Sequence, residues 1–166
     1  MDTKDTELLQ SLTIPQLLRW RVESTGDKVA LREKEFGRWN SYTWNDYYHL
    51  VRKTGLGLQK LGLKKGDAIA LIGDNIPKLI FMAIGAQSIG AVSAGIYQTS
   101  LPDEIAELIN YMDVAAVFCD DQEQVDKLVE VRDRIPQVRK VIYEDPRGMR
   151  DYRSDDWFID IADLYE

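Results

Sequence analysis

Along the chain, stretches with an apolar residue at every third or fourth position take turns with short runs that are apolar throughout, the rhythm of helices alternating with buried strands. Ile14, Leu17, Leu18 and Val22 keep the helical spacing and predict a helix from Ile14 to Glu23. Ahead of it, Thr13-Ile14-Pro15-Gln16 has the form of a capping box, with Thr13 placed to cap free amides and Gln16 to reach back. Val29 to Glu33 and Trp39 to Thr43 are rich in β-favouring residues and predict an antiparallel hairpin whose connection, Lys34 to Arg38, contains Gly37. Thr43-Trp44-Asn45-Asp46 forms a second cap. Tyr47, Leu50, Val51, Thr54, Leu58 and Leu61 then predict a helix from Trp44 to Leu61, ended by Gly62, where a left-handed residue costs least.

From there the pattern becomes regular. Ala68 to Ile72 is apolar on both faces, as a strand covered by helices on both sides should be. Further strand candidates begin at Ala91, Ala115 and Lys140, spaced about 24 residues apart, which is the length of one strand, one helix and two short loops. The helices between them are Ile76 to Ile89, Pro102 to Met112 and Gln122 to Arg134. In the middle one, Ser100 is placed to cap, Pro102 sits in the first turn, and Ile105, Leu108, Ile109 and Met112 make one stripe. Four strands alternating with helices imply parallel pairing through right-handed crossovers. The predicted fold class is α/β, an open, mostly parallel sheet flanked by helices, with an antiparallel aromatic hairpin near the N-terminus. Residues 1–12 read as a flexible N-terminus and 13–166 as the α/β part. Glu144 to Asp156 reads as a charged loop, and the cluster Trp157, Phe158, Ile159, Ile161 and Leu164 as one short terminal helix.

Composition narrows the function classes. The chain has 166 residues, 45% hydrophobic and 30% charged, and enough length to bury a core without disulfides or structural metals. Its one cysteine, Cys119, permits no internal disulfide, and the acidic, polar stretch Met1 to Gln10 has no signal-peptide core, so the cytosol is expected. A net charge of −7 argues against nucleic acid or an anionic membrane as the main partner. The charge-free run Leu79 to Pro102 has the length of a membrane span, but Gln87, Ser88, Ser93, Gln98, Thr99, Ser100 and three glycines break it into a buried helix and a strand.

Several groups of residues bear on chemistry. Gly55-Leu56-Gly57 falls inside a helix with no third glycine in time, so it does not read as a phosphate cradle, and close packing is the expected use of Gly85, Gly90 and Gly95. Asp120 and Asp121 follow a buried strand, where a phosphoacceptor or a Mg²⁺ ligand can sit; helix capping by one of them is the simpler use. Asp74-Asn75 is similar, with Asn75 as the cap. His49 is the single histidine and Cys119 lies on another element, so neither a Cys/His metal cluster nor a catalytic pair is expected. Six of the chain's tryptophans and tyrosines, Trp20, Trp39, Tyr42, Trp44, Tyr47 and Tyr48, crowd the front and are expected to pack the hairpin against the helices. Open α/β sheets bind ligands at the carboxyl ends of their strands, which makes Asp74, Asn75, Tyr97, Gln98 and Thr99 the ligand-facing candidates.

The order of several segments resembles a known family. Thr13-Ile14-Pro15-Gln16-Leu17-Leu18, Asp27-Lys28-Val29-Ala30-Leu31-Arg32 and Tyr42-Thr43-Trp44 are similar to the start of AMP-forming acyl-CoA synthetases. Gly62 to Leu71, Asp74-Asn75-Ile76-Pro77 and Gly85 to Val92 resemble its next elements, and Gly95-Ile96-Tyr97-Gln98-Thr99-Ser100-Leu101-Pro102-Asp103-Glu104 is closest to the long-chain fatty acid members, with Gln98 where a proline or alanine is frequent. The resemblance implies ATP, Mg²⁺, coenzyme A and a fatty acid as ligands of the full-length enzyme, which forms acyl-CoA through an acyl-adenylate. None of the family's phosphate-loop, glutamate, ribose-binding or C-terminal lysine motifs matches a position here. The implied role is therefore an N-terminal scaffold portion of a long-chain fatty acid–CoA ligase, inactive alone, with no catalytic or metal residue of its own. Its expected partner is the remainder of its own chain, with self-association through exposed apolar surface and peripheral attachment to a membrane as further expectations. Two other readings stay open: an acidic switch domain using Asp120 and Asp121, and an interaction module working through the aromatic front.

Overall fold

A computed structural model describes residues 9–166. Helix α1, Ile14–Thr25, is followed by strands β1, Val29–Glu35, and β2, Arg38–Thr43, and by helix α2, Trp44–Lys60. The remainder is β3 Ala68–Ile72, α3 Pro77–Ser88, β4 Val92–Ile96, α4 Pro102–Tyr111, β5 Val114–Cys119, α5 Gln122–Glu130, β6 Lys140–Tyr143, β7 Phe158–Asp160 and α6 Ile161–Leu164. Two sheets result: the hairpin β1-β2, and a five-stranded sheet in the order β4-β3-β5-β6-β7. Every pair in the larger sheet is parallel.

Alternation along the strands sorts the core into two layers. Ala70, Ile72, Val117, Cys119, Val141 and Tyr143 meet Ile105 and Ile109 of α4 and Val125 and Leu128 of α5. Ile69, Leu71, Ala116, Phe118 and Ile142 meet Leu58 of α2, Met82 and Ala86 of α3, and Ile161 and Leu164 of α6. β3 is buried along its whole length, as its all-apolar sequence predicts. A third cluster centres on Leu18, Tyr47, Val51 and Phe81 and seats the hairpin on the helices. The Phe81 ring lies 5.5 Å from Tyr42, edge-on at 73°, and 5.1 Å from Tyr47. Trp44 stacks on Tyr47 at 6.0 Å. Trp39, in contrast, is 65% exposed and Trp20 37%, so the expectation that the front aromatics pack holds for Tyr42, Trp44, Tyr47 and Tyr48 but not for these two.

Small residues allow the helices on this face to approach. A Cβ on Gly85 would lie 2.6 Å from Cβ of Thr54, and one on Gly57 would lie 2.4 Å from the Leu164 carbonyl oxygen. Gly90 serves a turn, at φ 79°, where a Cβ would also lie 2.9 Å from Cγ of Lys65, and a Cβ on Gly95 would meet open space. Close packing, expected for all three of Gly85, Gly90 and Gly95, is thus met at Gly85 and Gly90 but not at Gly95.

Most caps follow the sequence. The Thr43 amide donates to Asp46 Oδ2 at 2.8 Å and the Asp46 amide to Thr43 Oγ1 at 3.1 Å, and the Thr43 hydrogen bonds hold the Asp46 carboxyl below its ordinary pKa. The Thr13 amide donates to Gln16 Oε1 at 2.8 Å. Gly62, at φ 84°, ends α2, and the Leu63 amide returns to the Leu58 carbonyl. Two caps differ from expectation: Leu101, not Ser100, holds the N-cap position of α4, its amide donating to Glu104 Oε2, and Ile76, not Asn75, holds that of α3. Both helices begin at a proline, which needs no amide partner there.

Three further differences have physical causes. The hairpin connection is only two residues, because Phe36 at φ 46° and Gly37 at φ 79° supply the paired positive φ angles of a tight turn, and the strands extend accordingly. Helix α5 stops at Glu130 and tightens into a 3₁₀ turn at Arg132–Arg134 just ahead of Pro136. Trp157 to Leu164 is not one helix. Phe158–Asp160 pairs with β6 as a fifth parallel strand, and Asp160 then caps α6 by accepting the Ala162 amide at 2.8 Å.

Candidate functional site

The carboxyl ends of β3, β4 and β5 lie side by side, because β3 pairs in register with β4 from Ala68 to Ile72 and, after a register shift at Ala68, with β5 from Ile69 to Ile72. Their following loops, Gly73-Asp74-Asn75, Tyr97-Gln98-Thr99 and Asp120-Asp121, therefore converge. Asp120 organises them. Its Oδ2 accepts the Asp74 amide at 2.6 Å, and Asp74 Oδ1 in turn accepts Gln98 Nε2 at 2.8 Å. Lys127 of α5 donates through Nζ to the Gln98 carbonyl at 2.5 Å and to Gln124 Oε1 at 3.1 Å, and pairs with Glu123 at 3.0 Å. The four residues form one polar relay across three strand ends.

Gly73 makes room for it. Its φ is 155°, and a Cβ there would lie 2.4 Å from Cγ of Asp120. Asp120 is 9% exposed, and its Oδ1 has no hydrogen-bond partner. Burial raises its pKa above the ordinary carboxylate value; the Asp74 amide opposes this, and the Asp121 and Asp74 charges reinforce it. A carboxyl with a raised folded pKa contributes stability that is complete below its unfolded pKa and lost as pH rises through the folded value. Asp120→Asn keeps an acceptor for the Asp74 amide and removes the buried charge. It is expected to raise the unfolding free energy by about 1 kcal/mol at pH 7, a gain that shrinks on acidification. Urea denaturation of both proteins across the acid range checks this; a variant less stable at neutral pH would contradict it.

Of the sequence candidates, Asp74 and Gln98 meet directly. Asn75 and Tyr97 line one open cavity of about 370 Å³ with Leu71, Gly73, Leu79, Gly95 and Ile96. Thr99 is exposed at the turn and is not among the residues lining that cavity. Tyr97 is 84% exposed, so its ring has little contact with the rest of the chain. Asp121 caps α5, accepting the Gln124 amide at 3.2 Å. Sequence reasoning passed over Gly73 and Lys127. Lys127 stands four residues after Glu123 and reads as an ordinary solvated helix pair; only the fold brings it to Gln98.

Cys119 is fully buried, with its thiol pKa pushed up by burial, and His49 is exposed on α2. Among the described residues, no group of three or more His, Cys, Asp or Glu side chains is placed to hold a metal ion. Among the same residues, no helix is long and apolar enough to cross a membrane.

Comparison with known proteins agrees with this architecture. A long-chain-fatty-acid–CoA ligase from Homo sapiens, ACSBG1, is 32% identical over 136 residues, 81% of this chain and 19% of its own length. ACSBG2 from Xenopus laevis is 27% identical over 146 residues, 87% of this chain and 20% of its own. The chain thus spans about a fifth of the length of these curated relatives. Among solved structures, the anthranilate CoA ligase AuaEII in complex with anthranoyl-AMP superposes with a TM-score of 0.81 at 15% identity, covering 94% of this chain and 29% of that one. Acetoacetyl-CoA synthetase from Streptomyces lividans gives a TM-score of 0.81 at 19% identity, over 93% of this chain and 25% of its own. These likenesses show a shared fold. The family described as AMP-binding enzyme matches residues 18–159, most of the chain, and to that family the chain belongs.

Proposed function

We propose that the chain is the N-terminal scaffold portion of a long-chain fatty acid–CoA ligase, residues 13–166 forming part of its large domain in the cytosol, and that it is inactive by itself. The observation that carries this is the 32% identity to a long-chain-fatty-acid–CoA ligase over 136 residues. In the proposed parent, ATP, Mg²⁺, coenzyme A and a fatty acid are the ligands. The residues present do not fit a triphosphate. The strand-end loops offer the carboxylates of Asp74, Asp120 and Asp121, and the nearby lysine, Lys127, is already bonded to the Gln98 carbonyl and Glu123. Phosphate oxygens need cations or free amides, and carboxylates repel them.

The role left to the strand ends is support. Asp74, Asn75, Tyr97, Gln98 and Thr99 would form one wall of a pocket completed by the remainder of the protein, with the Asp120 relay fixing their positions. Fatty-acid-dependent exchange between ATP and pyrophosphate tests the reading. The 166-residue chain is expected to show none above background, and turnover at an enzyme-like rate of about 1 s⁻¹ or more would overturn it.

A further inference from the structure

The β1-β2 hairpin has two chemically different faces. Residues directly opposite in an antiparallel pair share a face, so the register places Leu31, Tyr42, Glu33, Asn40, Glu35 and Arg38 on one side and Arg32, Ser41, Lys34 and Trp39 on the other. The first side reaches the core at Leu31 and Tyr42, whereas Glu35, Arg38 and Asn40 near the tip are exposed. Leu31 and Tyr42 pack on the third core cluster, Glu33 accepts the Tyr42 hydroxyl at 3.2 Å, and Glu35 accepts Asn40 Nδ2 at 3.1 Å. On the other side all four residues are exposed, and Lys34 Nζ stands 6.0 Å from the centre of the Trp39 ring. Both hairpin acids are therefore on the side away from Arg32 and Lys34. This is a basic and aromatic face on a chain whose net charge is −7.

The tip adds a second observation. Phe36 is 85% exposed and sits at φ 46°, the first central position of the two-residue turn. Asn, Asp and Gly are the residues that take this conformation easily, and a bulky side chain there is strained. Phe36 thus loses on backbone strain and on solvent exposure at once. Burial of its ring in an apolar medium offsets both.

We propose that the hairpin is a docking surface for an anionic lipid bilayer. Phe36 enters the acyl boundary, Trp39 lies at the headgroup level that suits its amphipathic ring, and Arg32 and Lys34 face the lipid phosphates. Repulsion between the acidic remainder of the chain and the same surface turns this face toward it. Two cations and two exposed rings fit a shallow, two-dimensional contact better than a polyphosphate strand, which needs a longer basic track. The proposal does not depend on the enzymatic reading.

The test is co-sedimentation of the full chain with vesicles of phosphatidylcholine alone and of phosphatidylcholine mixed with phosphatidylglycerol. The chain is expected to pellet with the mixed vesicles, less so as salt is raised, and to stay largely in solution with the neutral ones. Phe36→Asn suits the turn and should fold at least as well, yet it is expected to weaken partitioning roughly tenfold or more. R32Q/K34Q, with both changes at exposed positions, is expected to weaken it roughly 25-fold. No pelleting with anionic vesicles, equal pelleting with neutral ones, or variants that pellet like the parent chain would each overturn the proposal. So would a stable dimer that Phe36→Asn dissolves in the absence of lipid binding.

Discussion

Phe81→Ala is expected to lower the unfolding free energy by about 3 to 5 kcal/mol, the range for truncating a fully buried aromatic residue. Phe81 is 0% exposed and contacts the rings of both Tyr42 on β2 and Tyr47 on α2, so its side chain fastens three elements at once. The loss is a large share of the roughly 5 to 15 kcal/mol that a domain of ordinary stability has. Urea denaturation followed by far-ultraviolet circular dichroism measures it. Because the ring sits between the hairpin and the helices, the hairpin should loosen before the parallel sheet does, and the transition should broaden. A change below about 1 kcal/mol would mean that the third cluster repacks freely and does not anchor the hairpin.

Gly73→Ala comes next, with an expected loss of about 3 kcal/mol, combining backbone strain with overpacking. The added methyl group would lie 2.4 Å from Cγ and 2.7 Å from Oδ1 of Asp120, a buried carboxyl whose other oxygen, Oδ2, accepts the Asp74 amide. Space and strain can be separated. In the background of Asp120→Gly the overlap disappears while φ at residue 73 stays unfavourable, so the cost of Gly73→Ala should fall by about half, and the difference is a coupling energy between the two positions. Equal costs in both backgrounds would assign the whole effect to the backbone and remove Asp120 from the account.

Much of the fold was legible because it rests on period. Four parallel strands, their helices and the hairpin announce themselves through spacing and punctuation, and each of those strands starts within one residue of its expected position. The misses are places where tertiary pairing overrides a local signal. Phe158–Asp160 is three residues long, too short to show an alternation, and becomes a strand because β6 offers an edge. The sequence predicts a longer connection than the Phe36–Gly37 turn because phenylalanine is a poor candidate for a positive φ. At the candidate site, strand-end position pointed to Asp74 and Gln98. The bond joining them, the role of Asp120 beneath them and the reach of Lys127 depend on contacts between residues 24 to 46 positions apart, which no local pattern encodes.

The strand order of the main sheet also bears on how the chain acquires its shape. β3 is the first strand of the main sheet to appear in sequence and must wait for partners on both sides, β4 and β5, each delivered by a helical crossover. The hairpin needs only a two-residue closure and can form within microseconds. A chain that has reached β3 but not β5 therefore carries a finished hairpin beside an apolar strand with at least one edge still bare. The first strand of the sheet to be made thus stays open to pairing with a stranger until the third arrives.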